Sequence, residues 1–254
     1  MLHSARSLEG FAVSASDGDL GKIEDVYVDD TRWAIRYFVV AAGSGPQGRR
    51  VLISPLSIDV IDWPNMKVRM KLSREQVATS PDIDLGKPVT REQEHALHRY
   101  YDYSPYWSGP ELWGYSILAP VLESRSYGEH IINKVHGDAE KARAEQSHLY
   151  SGKSLIGYHL QATDQELGRV VNCLVDDGDW SIRFIVVGTG GWLDGKDLLI
   201  SPRRFDHVDW NDKSFHVNAD RGEVEASPEY DSLNPPKPGS QADLYRHGGS
   251  RRGA

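Results

Sequence analysis

The sequence predicts a mainly β fold: two tandem small β-barrels joined by a short helical, aromatic-rich connector. Three observations carry this. The first is an internal repeat, in which SLEGFAVSASDGDLGKIEDVYVDD from Ser7 is answered by SLIGYHLQATDQELGRVVNCLVDD from Ser154, an offset of 147 positions. The second is that the offset holds without a gap, and 29 of 78 aligned positions are identical. Units of roughly 20–50 residues build solenoids and propellers, so a period this long means that each copy owns a core. The third is that short β-rich runs alternate with turn residues in both copies.

The runs fall at 9–15, 21–29, 34–42, 50–54, 57–62 and 66–71, and again 147 positions later. Six short strands per copy fit a small closed barrel. Asp17-Gly18-Asp19, Asp29-Asp30 and Asp176-Asp177-Gly178-Asp179 lie between runs, where turns need special backbone angles. Gly21 and Gly168 open the second strand of each copy, which suits a sharp bend or bulge at a barrel corner. A helical turn is expected over Arg74 to Thr79 and over Gly222 to Ala226, stopped by Ser80-Pro81 and Ser227-Pro228. The boundaries are then 1–84 for the first barrel, 85–153 for the connector, 154–231 for the second barrel and 232–254 for a disordered tail.

In the connector, Thr90 and Gln93 form a capping box for a helix that continues to about Tyr101. Tyr100, Tyr101, Tyr103, Tyr106, Trp107, Trp113 and Tyr115 then crowd together among Pro and Gly. Two readings of these rings stand open. They pack on the barrels and fix their orientation, because aromatic burial supplies much area at low entropic cost. Alternatively they form a surface for a partner or a dimer, where Tyr and Trp also concentrate. Residues 123–150 are polar and read as a mobile loop or short helix.

A net charge of −8 argues against a broad nucleic-acid surface. No apolar run approaches the roughly 20 residues that cross a bilayer, and MLHSARSLEG has no signal-peptide h-region, so the expected compartment is the cytoplasm, without membrane insertion. The single cysteine, Cys173, sits in the apolar run VVNCLV and reads as packing.

No motif points to catalysis. Gly43-Ser-Gly45-Pro-Gln-Gly48 has dinucleotide-binding spacing but is followed by the strand-like RRVLIS instead of a helix. Glu92, His95 and His98 fit one helix, yet a metal site needs three or four convergent ligands, so they read as a solvated face. The Asp-rich turns lack the Glu at position 12 of an EF-hand loop, and Ser116 in GYSIL lacks the closing glycine of a nucleophile elbow. What recurs is structural: Trp33/Trp180, Trp63/Trp210, Ser54-Pro55/Ser201-Pro202, and Arg36/Arg183 with repeated Asp, which reads as a polar pair at the barrel rim. A surface pair of that kind contributes little stability.

The order Gly-aromatic, Leu-Gly-Lys/Arg, Val-Asp-Asp, Arg-aromatic-x-Val-Val and Ile-Ser-Pro resembles the PRC-barrel, the fold named for the cytoplasmic domain of the photosynthetic reaction centre H subunit. The resemblance covers residues 7–84 and 154–231. It implies a small curved barrel used as an interaction module, and the layout is similar to bacterial proteins with tandem barrels. The chain departs from the H subunit in having no transmembrane helix.

The expectation is therefore a non-catalytic adaptor or scaffold that needs no cofactor or metal. Its partner is another protein, and its barrels pack against each other or pair between chains as a homodimer. Tyr103, Tyr106, Trp107 and Trp113 are the candidate protein-binding residues. The alternative is a small-molecule or redox-linked sensor holding a ligand between the barrels, since domain interfaces commonly form pockets.

Overall fold

The computed structural model describes residues 1–43, 48–85, 87–114, 148–191, 193 and 195–232. In the first half, β1 (Leu2–Ser4) leads through a 3-10 turn to β2 (Ala12–Ala15), β3 (Gly18–Asp29), β4 (Ala34–Ala42), β5 (Arg49–Ile53), β6 (Ile58–Asp62), β7 (Lys67–Met70) and α1 (Arg74–Ala78). The connector helix is α2 (Arg91–Tyr101). The second half repeats the order with β8 (Leu149–Ser151), α3 (Gly152–Leu155), β9 (His159–Gln161), β10 (Glu166–Asp176), β11 (Ile182–Gly188), β12 (Asp197–Ile200), β13 (Phe205–Asp209), β14 (Ser214–Val217) and α4 (Arg221–Glu225). Residues 44–47 of the expected hairpin loop, Ser116, residues 123–147 and the tail from 233 lie outside the described residues.

Two mixed seven-stranded sheets result, in orders β5-β4-β3-β2-β7-β6 and β12-β11-β10-β9-β14-β13. In each, the first long hairpin is antiparallel and one pair, β2 with β7 or β9 with β14, is parallel. Pro55 and Pro202 each open a 3-10 turn capped by the preceding Ser, so the chain leaves β5 or β12 and returns as the hairpin β6–β7 or β13–β14. Gly21 and Gly168 sit beside register shifts in β2–β3 and β9–β10, both at φ 153°. A Cβ at Gly21 would stand 1.7 Å from the Ala41 carbonyl oxygen, and one at Gly168 would stand 2.3 Å from that of Gly188. Only glycine permits the strands to approach this closely.

The seventh strand of each sheet comes from the other copy. β1 pairs with β10, setting Leu2 opposite Asp176 and Ser4 opposite Leu174. β8 pairs with β3, setting Leu149 opposite Asp29 and Ser151 opposite Tyr27. Leu2 and Leu149 are 147 apart, so the repeat begins upstream of the sequence-based boundary at 154. The exchange is reciprocal, which gives the two halves a pseudo-two-fold relation.

Side chains follow the same exchange. Trp33 lies against Phe205 and Phe215 of the second copy, while Trp180 meets Phe38 edge-on at 5.1 Å in the first. The Ile35 amide donates to the Trp180 carbonyl at 2.9 Å, and the Ile182 amide to that of Trp33 at 2.6 Å. Trp33 and Trp180 both hold positive φ, at 53° and 64°, a conformation that a bulky residue adopts only when its surroundings enforce it. His3 stacks on Trp63 at 3.6 Å and Tyr150 on Trp210 at 3.3 Å, again at equivalent positions. One continuous hydrophobic cluster runs through both copies, from Leu8 and Phe38 to Leu155 and Phe215. Among the described residues no helix is long and apolar enough to cross a membrane.

Candidate functional site

The connector packs on the first copy. α2 starts at the Thr90–Gln93 capping box and stops at Asp102, which takes φ 57°. Its buried face carries Glu94, Leu97 and His98. Leu97 joins Tyr37, Val39, Leu52, Ile83, Val89 and Leu149 in a second apolar cluster on the outer side of β4. His98 is 3% exposed, which corrects its reading as part of a solvated face. Its Nε2 lies 3.0 Å from the Tyr37 hydroxyl and its Nδ1 3.1 Å from the Ser104 carbonyl.

Glu94 is fully buried and hydrogen-bonded on all sides. Arg91 donates to Oε1 at 3.0 Å, while the hydroxyls of Tyr106 and Tyr37 lie 2.6 and 3.1 Å from Oε2. Arg91 also reaches Nδ1 of His148 at 3.3 Å, leaving the His148 Nε2 proton for the Tyr106 oxygen 2.8 Å away. Burial pushes the Glu94 carboxyl up to about 7 against the pull of Arg91 and the two phenols. Burial pushes His98 down to about 4, so its ring is neutral near neutrality.

Arg36 and Asp29 form the recurrent pair, but in the first copy it is not at a rim. Arg36 is 0% and Asp29 1% exposed, with guanidinium nitrogens 2.8 and 3.0 Å from Oδ2. The Tyr106 ring covers the guanidinium at 3.9 Å, Trp113 lies at 4.8 Å, and the Leu112 carbonyl accepts from Nη1 at 2.6 Å. Burial pushes the Asp29 carboxyl up, yet the Arg36 charge and hydrogen bonds hold it below the usual range. In the second copy Arg183 is 27% exposed and meets Asp176 at 3.1 Å and Asp179 at 2.7 Å. The pair recurs; its solvent cover does not.

The four candidate binding rings are thus largely engaged within the chain. Tyr106 is 2% exposed and offers almost no surface to a partner. Tyr103 bonds to Ser57 through its hydroxyl. Trp107 is half-buried against Arg91, His95, His98 and Tyr106. Trp113 donates from Nε1 to the Asp179 carbonyl at 2.9 Å, tying the connector to the second copy.

Two other features stand out. Leu56, Val60 and Met66, in and around the β6–β7 hairpin, are 38%, 47% and 47% exposed, whereas the equivalent residues of the second copy are Arg203, His207 and Lys213. Between the copies lies a cavity of about 290 Å³, reached by Ala5, Arg6, Asp25 and Val26 of one half and their equivalents Gly152, Lys153, Asn172 and Cys173 of the other. It therefore lies on the pseudo-two-fold axis, and its lining is mainly apolar.

Among the described residues no group of three or more His, Cys, Asp or Glu is arranged to hold a metal ion. No curated protein matches the chain significantly. Residues 148–224 match the family model of the PRC-barrel domain. The second copy is thus a PRC-barrel domain, and the first, which lies outside that match, is a sheet of the same strand order.

Proposed function

We propose that the protein is a non-catalytic adaptor whose two barrels act as one scaffold and whose first copy docks another protein through Leu56, Val60 and Met66. The observation that carries this is the contrast between copies. Single exposed apolar residues are ordinary on a protein surface. Here, however, one fold is used twice, and three positions that carry Arg203, His207 and Lys213 in the second copy stay apolar in the first. Interface cores favour such apolar positions over charge. Tyr103, bonded to Ser57 beside Leu56, and the half-buried Trp107 remain the parts of the connector that a partner would reach; Tyr106 packs against Trp107, and Trp113 ties the connector to the second copy.

The experiment is capture from native lysate by wild-type protein and by the variant L56R/V60H/M66K, which places the second copy's residues on the first. Loss of one specific protein by the variant, with unchanged circular dichroism, supports docking at this hairpin. Equal recovery by both, or no recovery by either, overturns it. Light scattering on the same pair decides whether the partner is a second copy of the chain.

A second reading, a small-molecule binder or sensor, is favoured by the cavity between the copies. At about 290 Å³ its size lies just below the roughly 300–1,000 Å³ of ligand pockets.

A further inference from the structure

We infer that the axis cavity takes a small zwitterion with an apolar body, an α-amino acid of leucine or phenylalanine size; this rests on the second reading above. The walls supply the apolar part. Val26, Val28 and Ile156 line it together with Cys173, whose thiol burial keeps protonated. A cavity of about 150 Å³ accepts benzene, so about 290 Å³ leaves room for a branched or aromatic side chain with its polar end.

Charge complementarity supplies the rest. Five charged side chains line the cavity, and most are already paired. Lys153 Nζ holds Glu9 at 2.6 Å, and Glu24 accepts from Arg50 at 2.8 Å. Two remain. Asp25 accepts only neutral donors, the amides of Val26 at 2.8 Å and Lys153 at 3.2 Å and the Ser151 hydroxyl, and no cation pairs with it among the described residues. Arg6 is exposed and its guanidinium has no partner among the described residues. One unpaired anion and one unpaired cation at a mainly apolar cavity match an ammonium and a carboxylate on one small molecule.

Asn172, the pseudo-symmetric mate of Asp25, completes the set. Its Oδ1 accepts from the Ser4 hydroxyl and the Cys173 amide, both at 2.8 Å. The Nδ2 protons are thereby left for an acceptor, beside Arg6, on a ligand carboxylate. Asp25 makes the corresponding bonds to Ser151 and Val26. Asn172 accepts both of its bonds at Oδ1, whereas Asp25 takes the Val26 and Lys153 amides at Oδ1 and the Ser151 hydroxyl at Oδ2, so D25N removes the anion, keeps the amide bonds and reverses the bond to Ser151, whose oxygen then accepts.

The test is calorimetric titration of the full chain with L-leucine and L-phenylalanine, and with two half-analogues, 4-methylpentanoate and 3-methylbutylamine. Wild type, R6Q, D25N and the cavity-filling A5L are compared, with circular dichroism as the control for folding. The amino acids are expected to bind, each half-analogue to bind roughly tenfold or more weakly, and R6Q and D25N each to weaken the amino acids by a similar factor. Half-analogues that bind as well as the amino acids, and lose binding in A5L, overturn the zwitterion while the cavity reading stands. Silence from every compound overturns both.

Discussion

Replacing Arg36 by Met tests whether the connector turns a common barrel feature into a buried ion pair. In the first copy the substitution leaves Asp29, 1% exposed, without its cation, under the Tyr106 and Trp113 rings. Breaking a buried pair by removing one partner costs about 3–5 kcal/mol, because the other charge stays desolvated. The equivalent R183M leaves Asp176 and Asp179, 18% and 37% exposed, free to hydrate, and costs about 0–1 kcal/mol. At roughly 2–4 °C per kcal/mol for a chain of this size, R36M should lower the Tm by about 6–20 °C and R183M by only a few degrees. D29N/R36M should recover part of the loss, since no unpaired charge remains. Guanidinium unfolding of the four proteins, with m-values compared, gives the measurement. Equal losses for R36M and R183M would refute the reasoning, because they would mean that the connector does not exclude water from the first pair.

The buried Glu94 gives a pH dependence with a definite sign. Its carboxyl is raised to about 7 in the fold, so the folded state binds more protons than the unfolded one between about 4.5 and 7, and stability falls as pH rises through that window. E94Q should flatten that slope in melts taken between pH 5 and 8; an unchanged slope would show that Glu94 does not titrate there. Leu2 is 5% exposed among Leu174, Phe184, Val186 and Leu199, so L2A should cost about 2–5 kcal/mol and speed amide exchange in β10, a strand of the other copy. Faster exchange confined to the first copy would contradict the strand exchange. Burial pushes the Cys173 thiol up to about 12, so at neutral pH the native protein should react with Ellman's reagent far more slowly than the unfolded chain, and equal rates would show that burial does not suppress the thiolate. G21A forces a Cβ onto the Ala41 carbonyl at 1.7 Å and should be far more destabilising than alanine at Gly157, which has nothing within 4 Å. Equal effects would remove the close approach as the reason for that glycine.

The duplicated strands were legible because each copy repeats the same alternation and the same turn residues; both helical turns were marked by the Ser-Pro that stops them, and α2 by its capping box. The exchange of β1 and β8 was not. Residues 2–4 and 149–151 share only Leu and Ser at equivalent positions, and a three-residue strand says nothing about which sheet it joins. Arg36 looked like a rim residue because its cover arrives from Tyr106, Leu112 and Trp113, more than sixty positions away. Glu94 was missed because α2 is rich in charge. A signal was present, since 94, 97, 98 and 101 follow the i, i+3, i+4, i+7 spacing of a buried stripe, and an acid on such a stripe must find partners inside. The cavity had no local signature, because its walls meet only when the copies do.

The asymmetry between copies locates function better than their likeness does. Where the halves agree, at Gly21/Gly168, Trp33/Trp180 and the stacked pairs on Trp63 and Trp210, the residues build the exchange and the shared core. Once that body exists, either copy can change its outer side chains without dissolving the interface, because the reciprocal strands hold it. The first copy has taken on the connector, which buries Arg36 and Glu94, and has kept Leu56, Val60 and Met66 apolar. Around the axis cavity the first copy carries Glu9 and Asp25 where the second carries Ile156 and Asn172, and Asp25 and Asn172 each accept from a Ser hydroxyl and from the amide of the following residue. Glu9 is paired with Lys153 and Glu24 with Arg50, so Asp25 is the lining anion that no cation pairs with among the described residues, and its counterpart Asn172 carries no charge. A symmetric cavity would treat the two ends of a ligand alike; the zwitterion proposed above requires this one to distinguish them.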